Sequence, residues 1–403
     1  MKRLNITDKS NCTGCGACLN RCPCDAISMQ ADSEGFLYPI VNDQICIDCG
    51  QCVDVCPLLT PRSETSGAAL DSATVYAAWS CNEERRINST SGGVFSELAQ
   101  YVFRQGGSVA GAVYGKRFAI HHILTDNPDD LKALRQSKYA QSDIQLVFRE
   151  VDARLKERKL VLFCGTPCQC AGLRAMLGRD TPNLLLCDFI CRGINSPKAY
   201  QSYLDMLERR YDSSIEKVHF KNKDFGWNGF HTQITFSNEK KYSQSRSTDP
   251  FMVAYLQYNL FLRPSCHTCQ FKGNWRNVDL TLGDFWGIGR IRADLDSDQG
   301  TSVVIASSPR GRAAMEAIKN FIVCEEMTLE NVKAGNRYLT ETVPPGKNRK
   351  AFFAHLNDWP FEKLMKRYAS PSWRERCGSG FRCLKAQPRR IFRMAITGKR
   401  RRG

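Results

Sequence analysis

Long apolar runs are missing from this 403-residue chain. No stretch approaches the roughly 18–20 apolar residues of a membrane span, which excludes a helical membrane protein. The first residues, Met1-Lys2-Arg3-Leu4-Asn5, are basic but have no apolar segment behind them, so no secretory signal is expected. Neither a Walker A loop nor a GxGxxG fingerprint occurs, which removes the two strongest phosphate-loop motifs. Hydrophobic residues at 42% and charged residues at 24% exclude wholesale disorder, collagen and coiled coil. Acidic residues are absent from Arg376 to Gly403, where ten residues are basic. Subtracting those ten from the formal +16 leaves +6 for the first 375 residues. The basic character belongs to a tail more than to a fold.

Cysteine is what the chain has in excess. There are 20, nine of them before residue 57. In a small secreted protein that density would mean disulfides. Here the chain is long enough for two or three domains, and the cysteines sit at metal-ligand spacing, which fits a reducing cytoplasm. Residues 12–22 and 46–56 are an internal repeat, each reading Cys-x2-Cys-x2-Cys-x3-Cys-Pro. Thiolates bind soft iron, and two residues between cysteines let one short loop wrap a cubane corner. In bacterial two-cluster ferredoxins the fourth cysteine of each run serves the other cluster. That rule assigns Cys12, Cys15, Cys18 and Cys56 to one [4Fe–4S] cluster, and Cys46, Cys49, Cys52 and Cys22 to a second. Zinc or disulfides would explain neither the third spacing nor Pro23 and Pro57. Cys24 is read as an extra cysteine and not a ligand.

Residues 1–60 are therefore expected to be an α+β ferredoxin-like two-cluster module, with small strands in Ala26 to Met29 and Phe36 to Val41. Residues 61–73, rich in small and polar types, read as a linker. From about 74 strands and helices alternate, which predicts an α/β domain with a mixed sheet over 74–340, in parts of about 74–155 and 156–340. Helices are expected at Val94 to Phe103, Ile144 to Arg158, Cys168 to Leu177, Pro197 to Tyr211 and Gly311 to Phe321. Buried strands are expected at Leu160 to Cys164 and Leu184 to Ile190. Residues 341–403, poorly patterned, read as a C-terminal extension ending in the basic tail.

A second cysteine set lies in this domain: Cys168, Cys191, and the pair Cys266 and Cys269. Spacing alone leaves it open between a metal site and core cysteines. Gly165-Thr166-Pro167-Cys168 joins a buried strand to a helix start, where backbone N–H groups suit phosphate. Ser89-Thr90-Ser91-Gly92-Gly93 opens another helix in the same way. Both also read as ordinary turns. His121 and His122 read as surface or core histidines. Trp227, Phe230, Phe285 and Trp286 read as core, with flavin stacking as the alternative.

Six stretches together resemble a known family: STSGGVFS from Ser89, QSKYAQSD from Gln136, FCGTPCQCAGL from Phe163, DFICRGINS from Asp188, FKNKDFGW from Phe220 and CHTCQFKGNWRNVDLTLGDFWG from Cys266. The chain resembles the coenzyme F420-reducing hydrogenase/dehydrogenase β-subunit family over about residues 1–340. Similar proteins with a fused two-cluster ferredoxin occur in bacterial polysaccharide gene clusters. The resemblance implies that Cys168, Cys191, Cys266 and Cys269 ligate a third [4Fe–4S] cluster beside an FAD. It also implies that Ser91, Gly92, Gly93, Lys138, Tyr139, Ser142, Gly165 and Thr166 lie at the flavin. The fused ferredoxin and the basic extension depart from the hydrogenase β subunits and argue against deazaflavin as the substrate.

Three oxidised clusters with ionised cysteine ligands carry about −2 each, which brings the first 375 residues near neutrality. Nucleic-acid binding by the fold is not expected. The tail is left to contact a membrane surface or a partner. The resulting expectation is a cytoplasmic iron–sulfur flavoprotein oxidoreductase. It takes electrons from a ferredoxin-like donor through the clusters to FAD and on to a small-molecule or glycan-precursor substrate. The alternative is an electron-transfer subunit whose substrate site lies on another chain. No catalytic residue is assigned; His231 and Lys223 are the side chains offered as a general acid.

Overall fold

The computed structural model of the protein describes residues 3–59, 68–179 and 181–370. In the N-terminal module the two short apolar runs form a hairpin, β1 (Ile27–Ala31) and β2 (Leu37–Val41), with Ile27 opposite Val41. Two short helices, Ala17–Arg21 and Gln51–Asp54, each begin at a left-handed glycine, Gly16 and Gly50. Glycine enters that conformation without strain and lets each cysteine loop turn directly into its helix.

The remaining strands are β3 (Ala68–Ala69), β4 (Thr74–Ser80), β5 (Ser108–Tyr114), β6 (Ile120–Thr125), β7 (Val161–Cys164) and β8 (Leu184–Phe189). They continue with β9 (Ile215–Asn222), β10 (His231–Phe236), β11 (Lys241–Ser245), β12 (Trp275–Arg276), β13 (Leu280–Asp284), β14 (Ser302–Ala306) and β15 (Ile322–Met327). Eight of them form one sheet in the order β15-β4-β14-β13-β8-β7-β5-β6. Its centre, β13-β8-β7-β5, is parallel, and both flanks are antiparallel. This is the expected mixed sheet. The central strands run almost without polar residues because helices cover both faces. Leu162 and Leu185 face the helices Val94–Arg104 and Pro309–Ala317. Phe163 and Leu186 face the helices Val147–Lys156 and Pro167–Leu177. In such sheets the crevice beyond the carboxyl ends of the parallel strands is where ligands bind. Here that crevice receives Gly165 after β7 and Cys191 after β8.

A separate sheet, β11-β10-β9, packs with helix Pro197–Tyr211 around Tyr200, Tyr203, Phe220, Phe236 and Phe251. Two helices that the sequence pattern did not reveal, Arg349–His355 and Phe361–Tyr368, join this core through Phe352, Phe361 and Leu364. They are short, so few apolar residues mark them. The basic tail lies outside the described residues.

Two boundaries move. Of the expected linker, 61–67 lies outside the described residues, while Ala68–Ala69 already pairs with β12 and Leu70 is fully buried. The chain is thus anchored on the larger domain before Thr74. The helix expected from Ile144 starts at Val147, because Asp143 is held in extended pairing beside β6 through the His122 N–H and the Ile120 carbonyl.

Polar contacts fasten the module to the larger domain. Arg149 donates to the carbonyls of Asn20 and Cys22 at 2.8 and 2.7 Å. Asn20 Nδ2 donates to the Gln145 carbonyl at 2.8 Å. Gly172 allows a close approach: a Cβ there would lie 2.9 Å from Cys15 Sγ.

Candidate functional site

The cysteines of the two N-terminal runs come together in crossed groups. Cys12, Cys15, Cys18 and Cys56 line one small cavity, and Cys22, Cys46, Cys49 and Cys52 line another. Burial pushes the Cys15 thiol up to about 11 and holds Cys18 well above the usual thiol range. Such thiols stay protonated until a soft cation displaces the protons. Cys24 also borders the second cavity, its sulfur 3.8 Å from that of Cys22. All 18 described cysteines are free of disulfides.

The second cysteine set converges as well. Cys168 sits in the first turn of helix Pro167–Leu177, which Thr166 caps in a reciprocal box with Gln169. Cys191 follows β8, Cys266 ends a short turn of helix at Pro264–Cys266, and Cys269 follows it. The four line one cavity with Thr13, Arg263, Lys272 and Arg276. Burial pushes Cys191 up to about 12 and raises Cys168 and Cys266 as well. The Ile194 N–H donates to Cys266 Sγ at 3.4 Å.

Beyond Cys191 lies a cavity of about 530 Å³, at the carboxyl ends of β7 and β8. Ser91, Gly93, Lys138, Tyr139, Ser142, Gly165 and Thr166 all line it. Gly93 is the left-handed cap of helix Val94–Arg104, and Gly165 and Thr166 precede helix Pro167–Leu177, so two helix N-termini meet there. Ser142 Oγ accepts from Gln169 Nε2 at 3.0 Å. Lys138 is driven down to about 7 by burial, its ammonium donating to the carbonyls of Arg135 and Gln136. Three buried polar atoms on the lining residues have no partner: His122 Nδ1, Arg135 Nε and Asn195 Oδ1. Burial also pushes His122 down to about 4, so it is neutral at pH 7.

Residues 75–148 match the family described as coenzyme F420 hydrogenase/dehydrogenase, beta subunit N-term, and residues 158–332 match the C-terminal part of the same beta subunit. The chain belongs to this beta-subunit family. Residues 11–58 match a 4Fe-4S dicluster domain, so the family member carries its own iron–sulfur electron-transfer module. A chain of the F420-reducing [NiFe] hydrogenase complex from Methanosarcina barkeri is similar at 18% identity, with a TM-score of 0.46. The match covers 76% of this chain and 95% of that one. No curated protein matches the chain.

Several sequence-derived residues fall elsewhere in this beta-subunit fold. Gly92 lies off the large cavity, its N–H on Ser302 Oγ at 2.9 Å and the Ala78 carbonyl of β4 filling the place a Cβ would take. Lys223 is a clamp: its ammonium donates to the carbonyls of Arg86, Ser91 and Gln299, which leaves no role as an acid at the cavity. His231 stacks on Phe225, with Nδ1 beside Ser243 Oγ. Trp227 and Phe285 are core, whereas Phe230 and Trp286 reach the cavity. The sequence reading missed Arg192, Lys221, Arg246, Tyr255 and Tyr338 on that lining. Lys221 lies within the family segment FKNKDFGW, which was a usable signal. Arg192 likewise lies within DFICRGINS; Arg246, Tyr255 and Tyr338 lie outside all six stretches.

Proposed function

We propose that this chain is an iron–sulfur flavoprotein oxidoreductase that takes single electrons from a ferredoxin-like protein and delivers pairs to a small molecule. One observation carries the reading: three of the cavities adjoin in series through shared walls. Thr13 borders both the Cys12 cavity and the Cys168 cavity. Cys191 borders both the Cys168 cavity and the large one. We assign Cys12, Cys15, Cys18 and Cys56, then Cys22, Cys46, Cys49 and Cys52, then Cys168, Cys191, Cys266 and Cys269 as the ligands of three [4Fe–4S] clusters. At least four free thiols lining each cavity, with Cys24 a fifth at the second, fit that chemistry. The Cys22 cavity opens toward solvent at the exposed Cys49, with Ile45 and Ile47 also exposed. That face receives the donor.

The large cavity fits FAD. Two helix N-termini suit its pyrophosphate, and the unpartnered His122, Arg135 and Asn195 atoms supply hydrogen-bonding groups for its polar edges. A flavin accepts electrons singly and releases them as a hydride, which clusters cannot do. Lys138 and Tyr139 line the same site, and Cys191 brings the third cluster to its edge. A glycan precursor as substrate and a cytoplasmic location rest on the family resemblance and the cysteine usage.

Anaerobic purification with iron, sulfide and flavin counted on one sample tests this reading. The expected result is about twelve irons and one FAD per chain. About eight irons and no flavin would leave only the ferredoxin module and refute the flavoprotein.

A further inference from the structure

The large cavity has a second wall, built by the three-stranded sheet. Lys221 stands on β9, Phe230 immediately precedes β10, and Arg246 follows β11. Trp286, after β13, completes it. The wall is braced from behind. Trp286 stacks on the buried Trp227, with ring centres 4.8 Å apart and planes within 5°. Trp227 Nε1 donates to one oxygen of Asp284 at 3.0 Å, and Lys221 donates to the other. Asn336 Nδ2 holds the Asp284 carbonyl at 3.0 Å. The Arg246 guanidinium lies 5.5 Å from the ring centres of both Phe230 and Trp286.

Charge decides what this wall attracts. Six basic side chains line the cavity, Arg135, Lys138, Arg192, Lys221, Arg246 and Arg337, of which Lys138 holds only part of its charge at pH 7, against one carboxylate, Asp284. Lys221 is neutralised by Asp284, and Arg135 by Glu84. Arg192 donates to the Tyr255 and Leu256 carbonyls and to Asn259, and Arg337 to the Tyr338 hydroxyl. Among the described residues Arg246 has no hydrogen-bond or ion-pair partner, and it is exposed, which puts it at the cavity mouth. A concave site with one sign of charge concentrates ligands of the other sign. A dinucleotide pyrophosphate accounts for about two of the positive charges, and the surplus remains.

We propose that Arg246, with the ring wall of Phe230 and Trp286, binds the anionic group of the substrate, a carboxylate or phosphate carried on a ring. The assignment of this anion as substrate rests on the flavoprotein reading; the anion site itself does not.

The test uses anaerobically purified holoprotein, with iron and flavin counted on the same sample. Calorimetric titration with benzoate and with phenyl phosphate should saturate for at least one of them. The neutral isostere benzamide should bind at least about tenfold more weakly. Arg246→Gln should weaken the anion about tenfold or more, leave benzamide unchanged and keep the iron and flavin counts. Arg246→Lys should recover part of the loss. The preference between benzoate and phenyl phosphate tells carboxylate from phosphate. Equal affinity for benzoate and benzamide, an unchanged Arg246→Gln, or no saturation with either anion overturns the proposal. Anion binding without flavin sinks the flavoprotein reading and supports the anion site; one flavin without anion binding does the reverse.

Discussion

Replacing Arg263 by methionine should loosen the ferredoxin module from the larger domain. The Arg263 side chain is 1% exposed and lies between the two. Nε donates to the Cys12 carbonyl at 2.9 Å, Nη2 to the Leu37 carbonyl at 3.0 Å, and Nη1 to Gln141 Oε1 at 3.2 Å. The guanidinium also lies 4.1 Å from the Tyr38 ring centre. Two of these hydrogen bonds cross to the module. A hydrogen bond involving a charged group contributes about 1.5–3 kcal/mol, so losing both costs about 3–6 kcal/mol. Methionine has no charge to desolvate, which offsets part of that loss. The expected net cost is about 2–4 kcal/mol, or roughly 30- to 700-fold in the docking equilibrium. Amide hydrogen exchange read by mass spectrometry reports it locally. Peptides covering 14–20 and 36–41 should exchange faster by about that factor, with β7 and β8 unchanged. Arg263→Lys keeps the charge but cannot span three acceptors, and should fall between. Unchanged exchange in the module, or equal acceleration in β7 and β8, would refute the docking role.

Three further outcomes are expected. Cys266→Ser should lose about four of about twelve irons while the signals of the two N-terminal clusters persist in electron paramagnetic resonance; loss of all iron would contradict separate sites. Cys22→Ser should lose about four irons and Cys24→Ser none, by iron analysis; the opposite pattern would make Cys24 the ligand. Protein freed of flavin should gain stability as pH rises from 7 to 9, because folding lowers the Lys138 amine to about 7 while the unfolded chain holds its proton to about 10.5. The penalty of burying the charge is complete below pH 7 and is relieved above it, on the order of 2 kcal/mol by pH 9. Denaturation across that range should show a shallower slope in Lys138→Met than in the wild type, the remainder coming from Lys223, which burial also drives down to about 7; parallel profiles would refute it.

What the sequence made legible follows from locality. The crossed cysteine groups are set by spacings of two and three residues, so one rule placed eight thiols on two cavities. The parallel core was legible because β7 and β8 are nearly unbroken apolar runs. The second wall of the large cavity was not, because Lys221, Phe230, Arg246 and Trp286 come from four separated segments that meet only when two sheets pack together. Lys221 and Lys223 show the limit most sharply. They stand two residues apart and look interchangeable in the sequence. One faces Asp284 and the cavity; the other closes on three backbone carbonyls beneath the Ser91 loop. That clamp still serves the site, since the Ser91 carbonyl it holds belongs to the loop that opens helix Val94–Arg104. A buried ammonium with three acceptors in place needs no carboxylate, and it fixes a helix N-terminus at the cavity while adding no anion to its lining. The electropositive character of the cavity therefore depends on how its own cations are satisfied, by carbonyls and hydroxyls more often than by carboxylates, which no count of charges along the chain reveals.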